Sequence, residues 1–506
     1  MADTLKPVTP PGAPPAPPTN GSSAASGAAA GADSLRRAAL SMPEVLGQSV
    51  ANMAPTAAMA LLPLLVFLNA GNGTWLSFVI AVLLMACVGY CASQFAKRMN
   101  SAGSFYVWVT RGFGPGAGHA AGWGLQLGYI ATGMATVLGF GIFAGDFLTR
   151  LGLPGTNPIV QTVLYAIDFI LPVSVAIADM RLSARTALTL EGISIAIILF
   201  LCAAIFVVHG GPIDTQQFSF KGVVPGGVLV GVVLAIFAFV GFESAGSLGM
   251  EARNPYRNIG RAILWSSIVV GLFYVVVSYS QVLGFQGTKP GFAKSVAPLP
   301  DLANVVGIGF LAYIIDIGIM CSMFACTLAC INAAARIAFT MAHDGMGAKA
   351  LAQIHPVRKT PVVGIWTVAV PMFVVPAALV LLGRNPVDVT GWAGTVATFG
   401  FMLAYALVSL AAPYFLSRIK ESSLIVTVLG LVGAIAMVVV FYSNWLPQTI
   451  PGGLFPTLTS PYNILPYIFF AWTAIGIIWY LVVKQRDPEA AKLMGTRYES
   501  VSSETR

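Results

Sequence analysis

An acidic residue inside a long apolar run is the part of the sequence with the clearest chemical potential. Residues 226–250 are apolar enough to cross a membrane, since about 20 apolar residues span about 30 Å of hydrocarbon, yet Glu243 lies among them. A charge near the centre of a bilayer costs roughly 2.5 to 3.5 kcal/mol, so an acid retained there predicts a functional site. Gly241 precedes the acid by two positions and would allow the helix to unwind.

A second interruption lies in the first apolar segment, SMPEVLGQSVANMAPTAAMALLP. Pro55 lacks a backbone donor, and its ring clashes with the carbonyl four residues earlier. The sequence therefore predicts a break in the helix at five consecutive residues, Asn52, Met53, Ala54, Pro55 and Thr56. The side chains of Asn52 and Thr56 could contact a substrate, or they could bond to backbone groups that the break frees.

Both interrupted segments need a framework to position them, and the composition indicates a membrane-embedded one. Of the 506 residues, 57% are hydrophobic and 9% are charged, and the mean hydropathy is +0.81. These values are typical of an integral membrane protein. The formal net charge of +8 does not indicate nucleic-acid binding, because the basic residues stand singly between apolar segments. All six cysteines lie in apolar segments, which favours packing between helices over disulfides or a metal site.

Twelve apolar segments are long enough to cross a membrane. Their predicted bounds are 43–70, 75–96, 117–148, 158–179, 184–208, 226–250, 262–286, 303–341, 362–382, 392–416, 423–443 and 463–484. An even number of crossings places both termini on one side. Alternating assignment puts five of the 27 Lys and Arg residues on the opposite side and 22 on the side of the termini, which the positive-inside rule identifies as cytoplasmic. The sequence thus predicts a multi-pass protein of the cell membrane with both termini cytoplasmic.

Related features recur five segments apart. The interruptions lie in the first and sixth segments, and the third and eighth segments are the longest. An offset of five helices reverses the orientation, so a pair of five-helix repeats would have inverted topology. Corresponding interrupted helices in two such repeats predict a transporter with its substrate near the midplane. The alternative is that glycine and proline are simply common in membrane helices.

Three stretches resemble sequences of the amino acid-polyamine-organocation superfamily. They are FAKRMNSAGSFYVWVTRGFGPGAGHAAGW (95–123), FAFVGFESAGSLGMEARNPYRNIGRAI (237–263) and ARIAFTMAHDGMGAKALAQIHPVRKTPVVGI (335–365). The second is similar to the superfamily's sixth helix and the loop after it, and the third to the end of its eighth helix. Together with the break in the first segment, the resemblance covers residues 43 to about 416. It implies an all-α integral membrane fold of twelve helices, with two inverted five-helix repeats, two peripheral helices, and substrate between the unwound first and sixth helices.

The resemblance also implies roles for residues near the breaks. Half-helix N-termini would suit a carboxylate and free carbonyls an ammonium, and an α-amino acid offers both groups. An aromatic residue at Phe237 would cover the substrate as a lid, with Phe239 close by, whereas a lipid-facing position is the alternative for both. Glu243 matches the acid of a "GFE" motif, where it would carry a coupling proton or join the first and sixth helices. The break carries Pro55 where the commonest pattern of the superfamily is glycine-rich.

Transport is predicted to be coupled to protons, or to proceed by substrate exchange without a coupling ion. Glu191 lies in the fifth segment, where some relatives carry a lysine that replaces sodium, and it is the second proton-coupling candidate. Ser322 and Thr327 in the eighth segment are not an adjacent hydroxyl pair, so a sodium site built from such hydroxyls is poorly supported. Asp168 lies near the middle of its segment and is a reserve candidate outside the predicted site.

These features predict a secondary transporter, or permease, that moves amino acids across the cytoplasmic membrane by alternating access. A transporter of polyamines or other organic cations is the runner-up, and a membrane sensor that binds ligands without moving them is the alternative of another class. No nucleophile, base or metal constellation indicates an enzyme, and no cofactor is expected. The expected partners are a small-molecule amino acid or amine, the lipid bilayer and protons, without nucleic acid.

The domain organisation follows from composition and from the segments. Residues 1–35 are rich in Pro, Ala, Gly and Ser and are predicted to form a disordered cytoplasmic tail. Residues 36–416 would form the transporter core, residues 417–485 the two peripheral helices, and residues 486–506 a second cytoplasmic tail.

Overall fold

The computed structural model describes residues 40–101, 103–178, 180–249, 251–358, 360–445, 459–495 and 499–501. The predicted N-terminal tail, residues 1–35, lies outside the described residues. Within them, the structure confirms twelve apolar helical spans, each long enough to cross a membrane. We number them span 1 to span 12: Met42–Ala70, Thr74–Ala96, Pro115–Arg150, Pro158–Ala178, Glu191–Val208, Pro225–Leu248, Pro255–Gly284, Phe310–His343, Val362–Leu381, Pro386–Arg418, Leu424–Ser443 and Leu465–Arg486.

Short elements connect the spans. Four helices of fewer than ten residues cover Phe105–Phe113, Thr215–Phe218, Pro298–Val305 and Pro488–Leu493. Two further turns of 3₁₀ helix cover Phe292–Lys294 and Lys349–Ala352. Strand β1, Met99–Ser101, pairs antiparallel with strand β2, Glu499–Val501. This pairing attaches the C-terminal segment to the connection between spans 2 and 3.

The spans form two inverted five-helix repeats, spans 1–5 and spans 6–10, as predicted. Equivalent helices of the repeats contact each other: span 1 packs against span 6, span 2 against span 7, and span 3 against span 8. Spans 11 and 12 are peripheral. Span 11 packs against spans 2 and 10, and span 12 packs against spans 3 and 10.

Span 1 is broken where the sequence predicts. One helix ends at Met53, a second begins at Pro55, and Ala54 between them has left-handed backbone angles, φ 43° and ψ 64°. A left-handed conformation costs a non-glycine residue roughly 1–2 kcal/mol. Because Pro55 disfavours right-handed helical angles in the residue before it, the sequence itself directs the break to Ala54.

Span 6 unwinds at the level of the break in span 1. Its regular helix ends at Phe237, and a 3₁₀ helix runs from Phe242 to Leu248. Gly241 between them has φ 93°, and a Cβ atom on it would lie 2.5 Å from Cγ of Asn52. Only glycine therefore allows the two breaks to approach this closely.

An ion pair and hydrogen bonds connect the segments at the end of the bundle where the described chain begins and ends. Arg336 Nη2 lies 3.0 Å from Glu251 Oε1, which joins span 8 to the segment after span 6. The Asp344 carboxylate accepts hydrogen bonds from Tyr106 Oη at 2.7 Å and from the backbone amide of Gly495 at 2.8 Å. Burial, followed by the neighbouring Asp344 carboxylate, raises the pKa of Tyr106 well above its usual value, so its hydroxyl stays protonated and donates.

Spans 3 and 10 approach each other through glycines. A Cβ atom on Gly400 would lie 2.5 Å from the carbonyl oxygen of Gly124 and 2.9 Å from the amide nitrogen of Gly128. All of these are backbone atoms, which cannot rotate away. Small residues at such crossings let membrane helices gain close van der Waals contact.

The Gly400→Ala variant should therefore lower the free energy of unfolding by about 1–3 kcal/mol, the usual cost of overpacking. The measurement is the melting temperature of the purified protein in detergent. Gly192→Ala is the matched control, because a Cβ atom at Gly192 meets no atom within 4 Å. Equal melting temperatures for the two variants would contradict the described contact between spans 3 and 10.

Candidate functional site

A small cavity lies beside the two breaks. The space in it that the centre of a water molecule can reach is about 50 Å³, and one water needs about 10–15 Å³ of such space. The cavity thus has room for a few waters or a small ligand group. Its lining comes from spans 1, 3, 6, 8 and 10: Asn52, Met53, Ala54, Ala57, Ala58, Leu61, Leu62, Thr132, Ala135, Thr136, Phe237, Val240, Met323, Cys326 and Thr390.

The lining is mostly apolar and includes no charged side chain among the described residues. Two of its three threonines use their hydroxyls within their own helix: Thr132 donates to the carbonyl of Gly128 at 2.9 Å, and Thr390 donates to that of Pro386 at 2.8 Å. Asn52 differs, since its side-chain Nδ2 is buried and finds no acceptor among the described atoms. A buried donor without a partner costs about 1–3 kcal/mol, so Asn52 is ready to bond to a ligand in the cavity.

The amides freed by the break in span 1 are already bonded within the protein. The Thr56 amide donates to Glu191 Oε1 at 2.7 Å, and the Ala57 amide donates to Ser322 Oγ at 3.2 Å. Glu191 is almost fully buried, and the positive end of the half-helix dipole stabilises its carboxylate. Glu191 therefore occupies the place at which the family resemblance predicts a substrate carboxylate.

The freed carbonyls also have partners. The Tyr274 hydroxyl on span 7 lies 3.1 Å from the carbonyl oxygen of Met53 and 2.7 Å from that of Ala238, so it connects both breaks. The thiol of Cys326 on span 8 donates to the carbonyl of Asn52 at 3.1 Å. Neither break thus leaves these backbone groups exposed to hydrocarbon.

Glu243 is completely buried and is held by two tyrosines. Its Oε1 accepts from Tyr129 Oη on span 3 at 2.6 Å, and its Oε2 accepts from Tyr405 Oη on span 10 at 2.8 Å. The sequence-based alternative placed this acid between spans 1 and 6, but two serines make that connection. Ser49 Oγ donates to the carbonyl of Phe242 at 2.6 Å, and Ser244 Oγ donates to that of Gln48 at 3.2 Å. Glu243 instead ties span 6 to spans 3 and 10.

The two aromatic residues predicted near the substrate have different positions. Phe237 lines the cavity and packs on Gly394 of span 10, where a Cβ atom would lie 2.7 Å from its ring. Phe239 is fully buried away from the cavity, and its ring lies 5.0 Å from that of Tyr274 in an edge-on arrangement. The geometry therefore favours Phe237 as the residue in contact with a ligand. The lipid-facing alternative does not describe either residue, because Phe237 lines the cavity and Phe239 is buried.

The structure brings some predicted residues to the cavity and leaves others outside it. Asn52, Met53, Ala54 and Phe237 line it. The predicted residues beyond the lining are Pro55, Thr56, Phe239, Gly241, Glu191 and Glu243.

Sequence reasoning missed the polar residues of span 3. Tyr129, Thr132 and Thr136 are spaced three and four residues apart, and this spacing places them on one helix face. That pattern inside an apolar span was the signal that could have revealed them.

The tyrosine contacts of Glu243 predict a measurable loss of stability. Tyr129→Phe and Tyr405→Phe should each reduce the free energy of unfolding by about 1.5–3 kcal/mol, because each removes a hydrogen bond to a buried charged group. Tyr165→Phe is the matched control, since the Tyr165 hydroxyl is buried and has no partner among the described atoms. Thermal unfolding in detergent would compare the three. A loss in Tyr165→Phe as large as in the other two would refute this account of Glu243.

Comparison with known proteins finds matches among transporters. The model of the family described as "Amino acid permease" matches residues 44–492. A branched-chain amino acid permease of Bacillus subtilis is 27% identical over 59% of this chain and 66% of its own length, slightly under two thirds. A methylthioribose transporter of the same organism is 24% identical over 83% of this chain and 87% of its own length.

A match to a solved structure supports the fold and nothing beyond it. A manganese transporter of Eremococcus coleocola, solved with an aromatic bis-isothiourea substituted compound, superposes with a TM-score of 0.55. The match covers 92% of this chain and 97% of the other at 15% sequence identity.

Proposed function

Because the chain belongs to the amino acid permease family, we propose that it is a secondary transporter that moves amino acids with small apolar side chains across the membrane by alternating access. One observation carries the proposal: the cavity lies where broken spans 1 and 6 meet, and both repeats contribute to its walls. In transporters built from inverted repeats, this is the place of the substrate site.

The lining supports a neutral substrate over a polyamine. A cationic substrate needs acidic partners in its site, and none of the described lining residues is acidic. Asn52 offers a free amide donor, and aliphatic side chains such as Leu61 and Leu62 offer apolar contact. A relative named as a branched-chain amino acid permease agrees with this substrate class.

The predicted proton-coupling residues, Glu191 and Glu243, stay predictions. Each lies beside a break and accepts a hydrogen bond from a fixed donor, the Thr56 amide and the two tyrosines respectively. The bonds of Glu243 support a role in fixing the arrangement of the helices, because span 6 cannot separate from spans 3 and 10 while both tyrosines bind Glu243. The distribution of Lys and Arg supports cytoplasmic termini. The division into a core of residues 36–416 and peripheral helices of residues 417–485 is part of the same proposal.

Proteoliposomes test the function directly. Vesicles containing the purified protein should exchange labelled L-leucine, L-valine or L-alanine for the same unlabelled amino acid inside, and should accumulate it when an inward pH gradient is imposed. L-arginine and putrescine serve as cationic comparisons. Flux of putrescine alone would assign the chain to organic cations, and saturable binding without flux would identify a sensor. Either result overturns the proposal.

The position of Phe237 predicts an effect on substrate selection. Phe237→Leu opens the wall of the cavity, so the ratio of L-leucine to L-alanine transport, taken as kcat/KM, should rise by about tenfold. Phe239→Leu is the matched control, because its ring packs on Tyr274 outside the cavity. That variant should lower the melting temperature and leave the ratio unchanged. An equal change of the ratio in both variants would remove Phe237 from the site.

A further inference from the structure

A buried acid in span 4 has no part in the function described so far. Asp168 lies near the middle of the span and is completely buried. Its Oδ2 accepts a hydrogen bond from Thr327 Oγ1 on span 8 at 2.8 Å. Its Oδ1 is buried and has no hydrogen-bond partner among the described atoms. Removing a carboxylate from water without full pairing is costly, so a proton bound to Asp168 would relieve part of this cost.

The surroundings of Asp168 provide no compensating cation among the described side chains. Spans 3, 5, 8 and 9 pack against the helix of span 4, and span 9 has no ionisable residue. Ionisable groups of the other three spans bond to partners other than Asp168: His119 to the Gly476 carbonyl, Tyr129 to Glu243, Arg150 to Asp146, Asp301 and Asp316, Arg336 to Glu251, Glu191 to the Thr56 amide, and Cys326 and Cys330 to Asn52. On span 4 itself, the Tyr165 hydroxyl has no described partner. A change of charge on Asp168 would therefore act mainly through Thr327.

A second hydroxyl extends this contact to the cavity. Thr327 Oγ1 lies 2.8 Å from Thr136 Oγ1 on span 3, and Thr136 lines the cavity. Thr327 Oγ1 also lies 3.1 Å from the carbonyl of Met323, and Thr136 Oγ1 lies 3.1 Å from that of Gly133. A chain of two hydroxyls thus connects the carboxyl group with the place where a substrate would bind.

The direction of the hydrogen bonds in this chain depends on the proton. Each hydroxyl has one hydrogen to donate. When Asp168 is ionised, Thr327 donates to it and can only accept from Thr136, so the hydrogen of Thr136 is drawn to Thr327 or to the Gly133 carbonyl. When Asp168 is protonated, it donates to Thr327, and Thr327 can then donate to Thr136. In that state Thr327 no longer takes the hydrogen of Thr136, which can pass from the Gly133 carbonyl to a ligand in the cavity.

We propose that Asp168 binds the coupling proton, and that Thr327 and Thr136 transmit its protonation state to the carboxylate of the substrate. The inference rests on the proposed transport of amino acids. Asp168 takes up the proton from one side of the membrane. The proton stays on a carboxylate oxygen of Asp168 while the substrate carboxylate accepts a hydrogen bond from Thr136. Proton and substrate are then released on the other side. No covalent bond of the substrate changes, and proton and substrate move together.

Paired variants test the chain in proteoliposomes with labelled L-leucine, or the amino acid of the panel that is exchanged fastest. In the intact protein, substrate affinity should fall with rising pH by up to about tenfold per pH unit, the limit for one proton bound with each substrate. Asp168→Asn keeps a neutral donor towards Thr327, so it should retain exchange, lose the pH dependence of KM, and fail to accumulate substrate under a pH gradient.

The cavity end of the chain supplies a second pair of variants. Thr136→Val should lose the pH dependence of KM, and Thr136→Ser should keep it. Thr132→Val is the matched control, because Thr132 also lines the cavity on span 3 but bonds to Gly128. Whatever it does to KM, this variant should keep the pH dependence. Loss of the pH dependence in Thr132→Val as well would overturn the assignment to the chain of Thr136 and Thr327.

Other results also decide against the proposal. It is wrong if Glu243→Gln or Glu191→Gln removes the pH dependence and Asp168→Asn retains it. It is equally wrong if a sodium gradient at constant pH drives accumulation and Asp168→Asn abolishes that response, since Asp168 would then bind sodium.

Infrared difference spectra between acidic and alkaline buffer provide a readout that needs no substrate. The intact protein should show a carboxylic acid C=O band that Asp168→Asn lacks, and identical spectra would refute proton binding by Asp168. If the intact protein exchanges no amino acid, the proposed function fails, while the infrared result still decides whether Asp168 takes up a proton.

Discussion

A helix cannot be interrupted inside hydrocarbon unless each freed backbone group finds a partner, because no water is present to replace the lost hydrogen bonds. This constraint governs the centre of the molecule. The break in span 1 leaves amides at Thr56 and Ala57, which bond to Glu191 and Ser322. Its carbonyls bond to Tyr274 and Cys326. Spans 5, 7 and 8 are therefore held against the break by its own unsatisfied groups.

The same partners determine how polar the cavity is. Most polar side chains near the cavity form hydrogen bonds within the protein. The lining is therefore apolar apart from the Asn52 amide and the threonine hydroxyls. Glu243 is close in sequence to the break but is enclosed by Tyr129 and Tyr405. A charged residue in a membrane span can thus hold helices together without touching the cavity.

Sequence reasoning recovered features that depend on local chemistry. Pro55 and Gly241 locate the two breaks, because backbone restrictions act on the residue itself or on its neighbour. Features that depend on contacts between distant spans were missed. Nothing local indicates that Tyr405 lies beside Glu243, 162 residues away. Phe239 is an aromatic residue of the type expected in the cavity, yet the unwound turn after Phe237 directs its ring towards Tyr274 of span 7. The Asp168 contact likewise depends on the packing of spans 3, 4 and 8.

The residue at the centre of span 1 also determines how that span can move. A glycine there would visit many backbone conformations, whereas Ala54 occupies one sparsely populated region and Pro55 has a fixed φ. The angle between the two half-helices of span 1 is therefore fixed rather than flexible. In the proposed alternating access, span 1 would then tilt as one rigid unit.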